Sequence, residues 1–560
     1  MSRTKVRGAG ARAPRNRRER KTIAIVGSGF AGSLLARVLA VQGHEVVLLE
    51  RGTHPRFAIG ESSTPLANLS LERLARRYQL DDCYDLAAHG RWVARFPKLR
   101  RGLKRGFTFY RHHRGMPFEN AGLESERLLV AASPNDGIAD THWLRADVDH
   151  HFVREAVAAG AEYLDRVDLT AADVRSSGVR LTGTRGGAAL DLRADFVIDA
   201  SGPGGFLARQ LSIPSQLNRT ATRSALVFSH FADVRLISDV VRGLPEGPYP
   251  DDWAAVHHII DEGWMYSLRF DDGVTSAGFT LSPRGLATIT DSARASAESL
   301  WRALLARYPT IAAAFERATP LMPLGFRPRI QHRLARAAGP RWVLLPHAYG
   351  FVDPLFSTGI AWGLRAIERL ALCFDGGRLP SADELARYDK LLGLEADQVD
   401  RLVAGAYEAM AHFDLFAAHA MIYFAIVSFA EVRRRLDLDD PATVPWRGFL
   451  GVGDPVTEPL PRAGLLRLRR ITRGVGTEGS AADRRGYCDW IAQAIASRNI
   501  NRFAEQERNN LYPVDLDALV DQHALLGLTR DQLVRALPAL RGAPRVPEIP
   551  RIPELSPASV

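Results

Sequence analysis

Apolar residues run unbroken from Ile23 to Val26, break at Gly27, Gly29 and Gly32, and return at helical spacing as far as Gln42. A second apolar run, Val46 to Leu49, follows and ends in Glu50. Short apolar runs on either side of a helical stretch predict parallel strands buried on both faces, with the helix crossing between them. Farther on, Leu71, Leu74 and Tyr78 share a helical face within 70–78, and 147–159 predicts a helix closed by Gly160, with Arg145 just before it. Alternating positions over 223–231 and 264–270 predict strands of an antiparallel sheet inserted into the first fold, with Pro245, Pro248, Pro250 and Pro283 marking turns. A helix is expected over 362–373. Beyond residue 395 the pattern turns to long helices, 395–412 and 415–436.

The first stretch carries chemistry. Gly27, Gly29 and Gly32 form G-x-G-x-x-G between a strand and a helix, and Glu50 ends the next strand. The glycines permit a tight turn and close backbone approach, the helix N-terminus faces a pyrophosphate, and an acid about 20 residues on takes the ribose hydroxyls. Strand, glycines, helix, strand and acid in one register point to a bound dinucleotide.

Composition narrows the class. With 560 residues, 46% hydrophobic and 24% charged, the chain has room for several globular domains. The net charge of +10 misleads, because residues 1–21 hold nine Arg or Lys against one Glu. That tail has no apolar run of a secretory signal and is expected to be disordered. The remainder is near neutral, which argues against a nucleic-acid protein. Cys83, Cys373 and Cys488 are scattered, so no disulfide framework and no metal site are expected, and a reducing, cytoplasmic setting fits. The most apolar run, 415–430, contains His419 and Ser428 and is shorter than a bilayer needs, so a buried helix without stable membrane insertion is expected.

Three further blocks carry a family resemblance. Gly60-Glu61-Ser62-Ser63-Thr64-Pro65 resembles the G-E-[SA]-x-x-P segment of flavin-dependent halogenases and related flavoenzymes. The run from Gly350 to Ile360, GFVDPLFSTGI, is similar to their G-F-[VI]-[DE]-P-x-x-S-[ST]-[GS] block, and Ala194 to Pro203 resembles the strand and turn that return to the flavin. The resemblance spans about residues 21–375 and implies an α/β fold: a Rossmann-type FAD-binding domain with an inserted antiparallel substrate sheet and a mostly helical C-terminal region. We expect a basic tail over 1–20, an FAD-binding and substrate domain over 21–394, a helical domain over 395–543 and a Pro-rich tail over 544–560.

The resemblance also implies roles. FAD would be held by Gly27, Gly29, Gly32, Glu50, Arg145, Asp199, Gly350, Asp353, Thr358 and Gly359, with Asp199 alternatively a helix-entry cap. Thr358 and Gly359 match the positions at which the family holds a halide against backbone N–H groups. Lys104, five residues before Phe109 in LKRGFTF, matches the essential lysine of phenol and pyrrole halogenases. A buried lysine of lowered pKa can hydrogen-bond hypohalous acid, or be halogenated by it, and aim it at an electron-rich carbon. The other reading of Lys104 is a solvated lysine within a basic segment, 95–114, that would suit an acidic carrier protein.

Two departures matter. The family's W-x-W-x-I-P stands here as Trp264-Met265-Tyr266-Ser267-Leu268-Arg269, and the G-D-A preceding the Gly350 block is Pro346-His347-Ala348. The resemblance thus implies an FAD-dependent oxidoreductase of secondary metabolism that uses a peroxyflavin to halogenate or oxygenate an aromatic substrate, free or carrier-bound. With no second G-x-G-x-x-G visible, a separate flavin reductase is expected. The alternatives are an FAD-dependent reductase of isoprenoid double bonds, similar to geranylgeranyl reductases, and a non-catalytic flavoprotein.

Overall fold

The computed structural model describes residues 20–118, 126–203, 205–439, 443–473 and 480–540. Both expected tails lie outside these, except Arg20. The first strand, Thr22–Val26, is the centre of a six-stranded sheet. Glu45–Leu49 and Phe196–Asp199 flank it in parallel, Glu162–Leu164 and Trp342–Leu344 extend the sheet in parallel, and Ala338–Gly339 closes one edge as a hairpin. Its unbroken apolar runs follow from burial on both faces: Ile23, Ala24, Ile25 and Leu48 are wholly buried, as are Leu34, Leu35 and Leu39 of the crossing helix Phe30–Val41. Each large aliphatic side chain so buried contributes about 1.5–3 kcal/mol. A three-stranded antiparallel sheet, Val167–Ala194, hangs from this domain with mostly exposed faces.

The inserted sheet is larger than the alternating runs suggested and is not purely antiparallel. Nine strands build it, from Thr319–Pro320 through Ala225–Ala232, Thr275–Leu281, Gly263–Arg269, Ala255–Ile260, Gly106–Arg111 and Arg127–Ala131 to Leu511–Tyr512, with Gly325–Arg327 on a branch. Ala255–Ile260 runs parallel to Gly106–Arg111, and Leu511–Tyr512 parallel to Arg127–Ala131. Strands so distant in sequence meet without a hairpin, and no local pattern encodes that pairing.

The middle of the basic segment 95–114 is not a solvated face: it forms the strands Arg101–Lys104 and Gly106–Arg111, and of residues 101–112 only Arg105 is not buried, while Arg95, Lys98, Arg100 and Arg114 stay exposed. Its cations are matched by acids from other elements, Arg101 with Asp271 at 3.0 Å, Arg105 with Asp136 at 2.7 Å and Arg111 with Asp261 at 2.6 Å.

The boundary expected at 394/395 falls inside a single helix, Ala382–Ala409, which opens with a capping box between Ser381 and Glu384. Its apolar face packs into the same core as the FAD-type domain, through Tyr388, Leu392, Val399 and Val403. The apolar helix Phe413–Arg435 is long enough to cross a membrane by length and composition. Here it is a core helix. Phe416 packs edge-on against Phe109, Phe424 against Phe107, and His419 is held between Tyr487 and the Leu402 carbonyl at 2.8 and 2.9 Å.

Candidate active site

At the dinucleotide end, the turn from Val26 to Phe30 closes as its glycines require. Gly27 has φ +103°, and a Cβ there would meet the Ala200 carbonyl at 2.5 Å; a Cβ on Gly32 would meet the Gly27 oxygen at 2.0 Å. Gly29 is different: a Cβ there would make only ordinary contacts, at 3.7 Å, with the Arg145 guanidinium and the Asp149 carboxylate, and the N-cap residue supplies no side-chain cap of its own. Glu50 accepts hydrogen bonds from the Ser28 N–H at 3.0 Å, the Ser28 hydroxyl at 2.9 Å and the Gly52 N–H at 2.9 Å, and pairs with Arg56 at 3.1 Å. Burial alone would raise its pKa, but these partners outweigh it and bring the carboxylate down to about 2.

Arg145 stands over this turn. Its guanidinium is held bidentate by Asp149 at 2.7 and 2.9 Å, donates to the Ile59 and Gly60 carbonyls at 3.0 Å each, and lies over the Phe30 ring. Asp149 also accepts from the Phe30 N–H at 3.2 Å, so Arg145 ties the glycine turn to the Gly60-Glu61 segment. Asp149 follows Arg145 by one helical turn, yet nothing in the local pattern distinguishes it from an ordinary i,i+4 partner. The glycine turn at the helix start, the absence of a side chain at Gly29 and the ionised Glu50 fit a dinucleotide.

Two further expected cofactor contacts are, like Glu50, engaged by protein donors. Asp199 accepts from the Ser201 N–H and hydroxyl and from the Leu207 N–H at 2.9, 2.6 and 2.7 Å, which is the helix-entry cap rather than a group presented to a ligand. Asp353 is likewise engaged by protein donors on both oxygens: the Leu355 N–H at 3.2 Å, the Ser224 hydroxyl at 2.9 Å and the Tyr407 hydroxyl at 3.0 Å. Burial pushes its pKa up to about 7. It fixes the turn that follows Gly350, whose own strand pairs with His332–Arg333.

That turn ends at Ser357 in the left-handed conformation, φ +51°, from which the 16-residue helix Thr358–Cys373 starts with no side-chain cap. Ser357 donates to the Ser62 hydroxyl at 3.1 Å, so the G-E-S-S-T-P segment and the S-T-G turn face each other. An uncapped helix start with Thr358 and Gly359 in its first turn favours an anion or an electron-rich carbonyl. Gly359 is required there: a Cβ would come within 2.9 Å of the His347 ring nitrogen. His347 is half-buried and uncharged, its pKa lowered to about 4 by desolvation and by Arg145. His347 thus takes the place of the usual Asp as a packed neutral ring.

Lys104 is wholly buried. Its strand, Arg101–Lys104, pairs antiparallel with Asp140–Trp143, and Lys104 lies directly opposite Asp140. The amine donates to the Ser63 carbonyl at 2.6 Å and sits 4.1 Å from the centre of the Phe107 ring. Burial lowers the Lys104 pKa and raises that of Asp140, while their mutual attraction opposes both shifts. Burial and then Lys104 keep the neighbouring His142 and His257 neutral, each with its pKa lowered to about 3. Beside this pair is a cavity of about 130 Å³, lined by Asp140, Thr64, Phe107, Tyr423, Phe424 and residues of the C-terminal segment. A cavity of about 150 Å³ holds benzene. A larger one of about 270 Å³ adjoins Gly350 and Phe351, but its wall is polar, with Arg333, Lys390 and Asp397.

The segment replacing W-x-W-x-I-P is built into the sheet. Trp264 is buried and its indole N–H donates to the Tyr407 hydroxyl at 3.0 Å, which in turn donates to Asp353. Arg269, at the proline position, donates to the Val234 carbonyl at 3.0 Å. Neither Asp140 nor Tyr407 was apparent in the sequence, since each is brought to the site by an element far from the motifs.

The sequence pattern of the tryptophan halogenase family matches residues 142–416, and that of an FAD-binding domain matches residues 20–247. The chain is 28% identical to tetracycline 7-halogenase of Kitasatospora aureofaciens, over 70% of this chain and 71% of that one. It is also 28% identical to the monodechloroaminopyrrolnitrin halogenase PrnC of Pseudomonas fluorescens, over 71% and 69%. Among solved structures, halogenase PltM in complex with phloroglucinol and FAD superposes with a TM-score of 0.77 at 25% identity, covering 85% of this chain and 96% of that one.

Proposed function

The chain belongs to the flavin-dependent halogenase-like family of FAD-dependent oxidoreductases, and from that premise we propose that it halogenates an electron-rich aromatic ring, with Lys104 as the catalytic residue. The observation that carries this reading is the burial of Lys104 on the Ser63 carbonyl, beside an aromatic-lined cavity of ring size. Bound FAD, once reduced, supplies with O2 the oxidising equivalent that converts halide to hypohalous acid. FAD would be held by the Gly27–Gly32 turn, Glu50 and the Thr358 helix start, with Arg145 bracing the turn. Thr358 and Gly359 would offer their backbone N–H groups to the halide.

Lys104 then does the positioning. Its amine has a donor committed to Ser63 and further N–H and lone-pair capacity for hypohalous acid. Burial favours the neutral amine, which can take the halogen as well as hydrogen-bond the acid. The Phe107, Tyr423 and Phe424 side of the cavity offers a surface for the ring to pack against. The aromatic substrate is a small ring. Reduced flavin comes from a separate reductase.

Lys104→Ala is expected to retain FAD and to lose about 10²–10⁴-fold of the halogenation rate, while flavin reoxidation continues. Product mass with purified enzyme, FAD, a flavin reductase, bromide and a panel of phenols measures this. Brominated product from the alanine variant at the wild-type rate removes Lys104 from the mechanism. The altered Trp264–Arg269 segment favours a second reading, oxygen transfer to the same ring. In that case the product gains oxygen in the absence of bromide and Lys104→Ala changes little beyond KM.

A further inference from the structure

We propose that Asp140 is the substrate-recognising residue of this site, its Oδ2 accepting a hydrogen bond from a ring-borne donor, a phenolic O–H or a pyrrole-type N–H. The inference rests on the reading above only in that an aromatic substrate enters the cavity beside Lys104. Asp140 begins the strand Asp140–Trp143, directly across from Lys104. Its Oδ1 is satisfied by the Asn68 side-chain amide at 2.8 Å, while Oδ2 is buried and has no hydrogen-bond partner among the described residues. A buried carboxyl oxygen without a partner is costly and its retention calls for a group that completes it; Oδ2 keeps acceptor capacity whether the carboxyl is ionised or protonated. Lys104 does not fill that role, because its amine is turned to the Ser63 carbonyl and the Phe107 ring.

The other acids around the cavity are already paired. Glu72 meets Arg91 at 2.7 Å and Arg435 at 3.2 Å, Glu431 meets Arg435 at 2.7 Å, and Asp515 meets Arg508 at 3.3 Å. Asp140 is therefore the lining acid with an open acceptor, and it sits where the aromatic wall of Phe107, Tyr423 and Phe424 closes around a ring-sized space. A donor on the ring would complete Oδ2 and set the orientation of the ring relative to Lys104. The same hydrogen bond increases electron density on the donor heteroatom, and so at the ring carbons conjugated with it. A site built to receive a donor rejects the analogue that lacks one far more strongly than a site selecting on apolar shape.

The test is binding to FAD-loaded enzyme by calorimetry, with phenol against anisole and pyrrole against N-methylpyrrole. Wild type should bind at least one donor-bearing ring about 10-fold or more tighter than its methylated partner, and the pair that is discriminated identifies the donor. In Asp140→Asn, with flavin content and melting temperature checked against wild type, that ratio should fall to within about 3-fold, because the amide nitrogen replaces the acceptor. Two results overturn the inference: wild type that discriminates neither pair, or discrimination that survives in Asp140→Asn, which would mark it as steric. The two readings separate in a parallel bromide assay. Discrimination lost in Asp140→Asn without any brominated product supports this inference and fails halogenation. Brominated product with undiminished discrimination in the variant overturns this inference and leaves halogenation standing.

Discussion

Single glycines of the first turn do two different things, and substitution separates them. Gly32 is packed against the Gly27 carbonyl, so any Cβ forces the turn open. Gly32→Ala should cost about 1–3 kcal/mol of stability, as overpacking does, and should lose FAD as well. Gly29 has an ordinary extended backbone, and a Cβ there would make no contact closer than 3.7 Å, to Arg145 and Asp149. Gly29→Ala should change the stability of the FAD-free protein by less than about 0.5 kcal/mol, yet abolish flavin retention, because the space it fills is the pyrophosphate cradle. Chemical denaturation of both FAD-free variants and flavin absorbance after reconstitution distinguish the two. Equal destabilisation of the apo proteins would contradict this division of roles.

Elements far apart in the chain are joined at the site by short polar relays. Tyr407, on the helix Ala382–Ala409, accepts from Trp264 of the inserted sheet and donates to Asp353 of the loop before the Thr358 helix. Three elements thus share one hydroxyl. Tyr407→Phe should therefore cost about 1–3 kcal/mol, since it leaves a buried indole N–H without an acceptor. A urea midpoint within error of wild type would show that the relay contributes nothing to stability. The same helix explains why no domain boundary falls at 394/395: its faces belong to the FAD-type domain and to the C-terminal helices at once.

At the scale of the molecule, buried ionisable groups set the acid limit. Nine histidines have pKa values lowered by desolvation: His142, His257 and His258 at about 3, His347 and His419 at about 4, His112 well below its ordinary value, and His54, His89 and His332 below it. Between pH 6.5 and 4 the unfolded chain protonates them and the folded chain does not, so their contribution is present above pH 6.5 and lost as pH falls. Asp353, raised to about 7, acts in the opposite sense, as do Asp85, Asp140, Asp199, Asp252, Asp271 and Asp400, also raised by burial, because the folded chain holds those protons. Nine histidines against seven carboxylates leave the unfolded state binding more protons in this window. Stability should fall from pH 6.5 to pH 4, as read by urea midpoints across that range. A midpoint that rises on acidification would refute the balance.

The dinucleotide turn with its glycines and the FAD-type domain were legible in the sequence, because each depends on residues within one turn or one strand of each other. Periodicity likewise located the strands at 225–232 and 263–269 and the long helices, with ends displaced by a few residues or, for Ala382–Ala409, a full thirteen. What Lys104 is could not be read there. Among eight cations within 95–114 it has the sequence signature of a solvated lysine, and only the pairing of Arg101–Lys104 with Asp140–Trp143 buries it on Ser63. The same holds for Asp199 and Asp353, whose motif positions suggested a ligand while their actual donors are Ser201 and Leu207 in one case and Ser224 and Tyr407 in the other. Local chemistry fixes which side chains and backbone turns are available. Which of them end up dry, paired or facing a cavity depends on contacts between residues tens to hundreds of positions apart, and only the tertiary structure decides those.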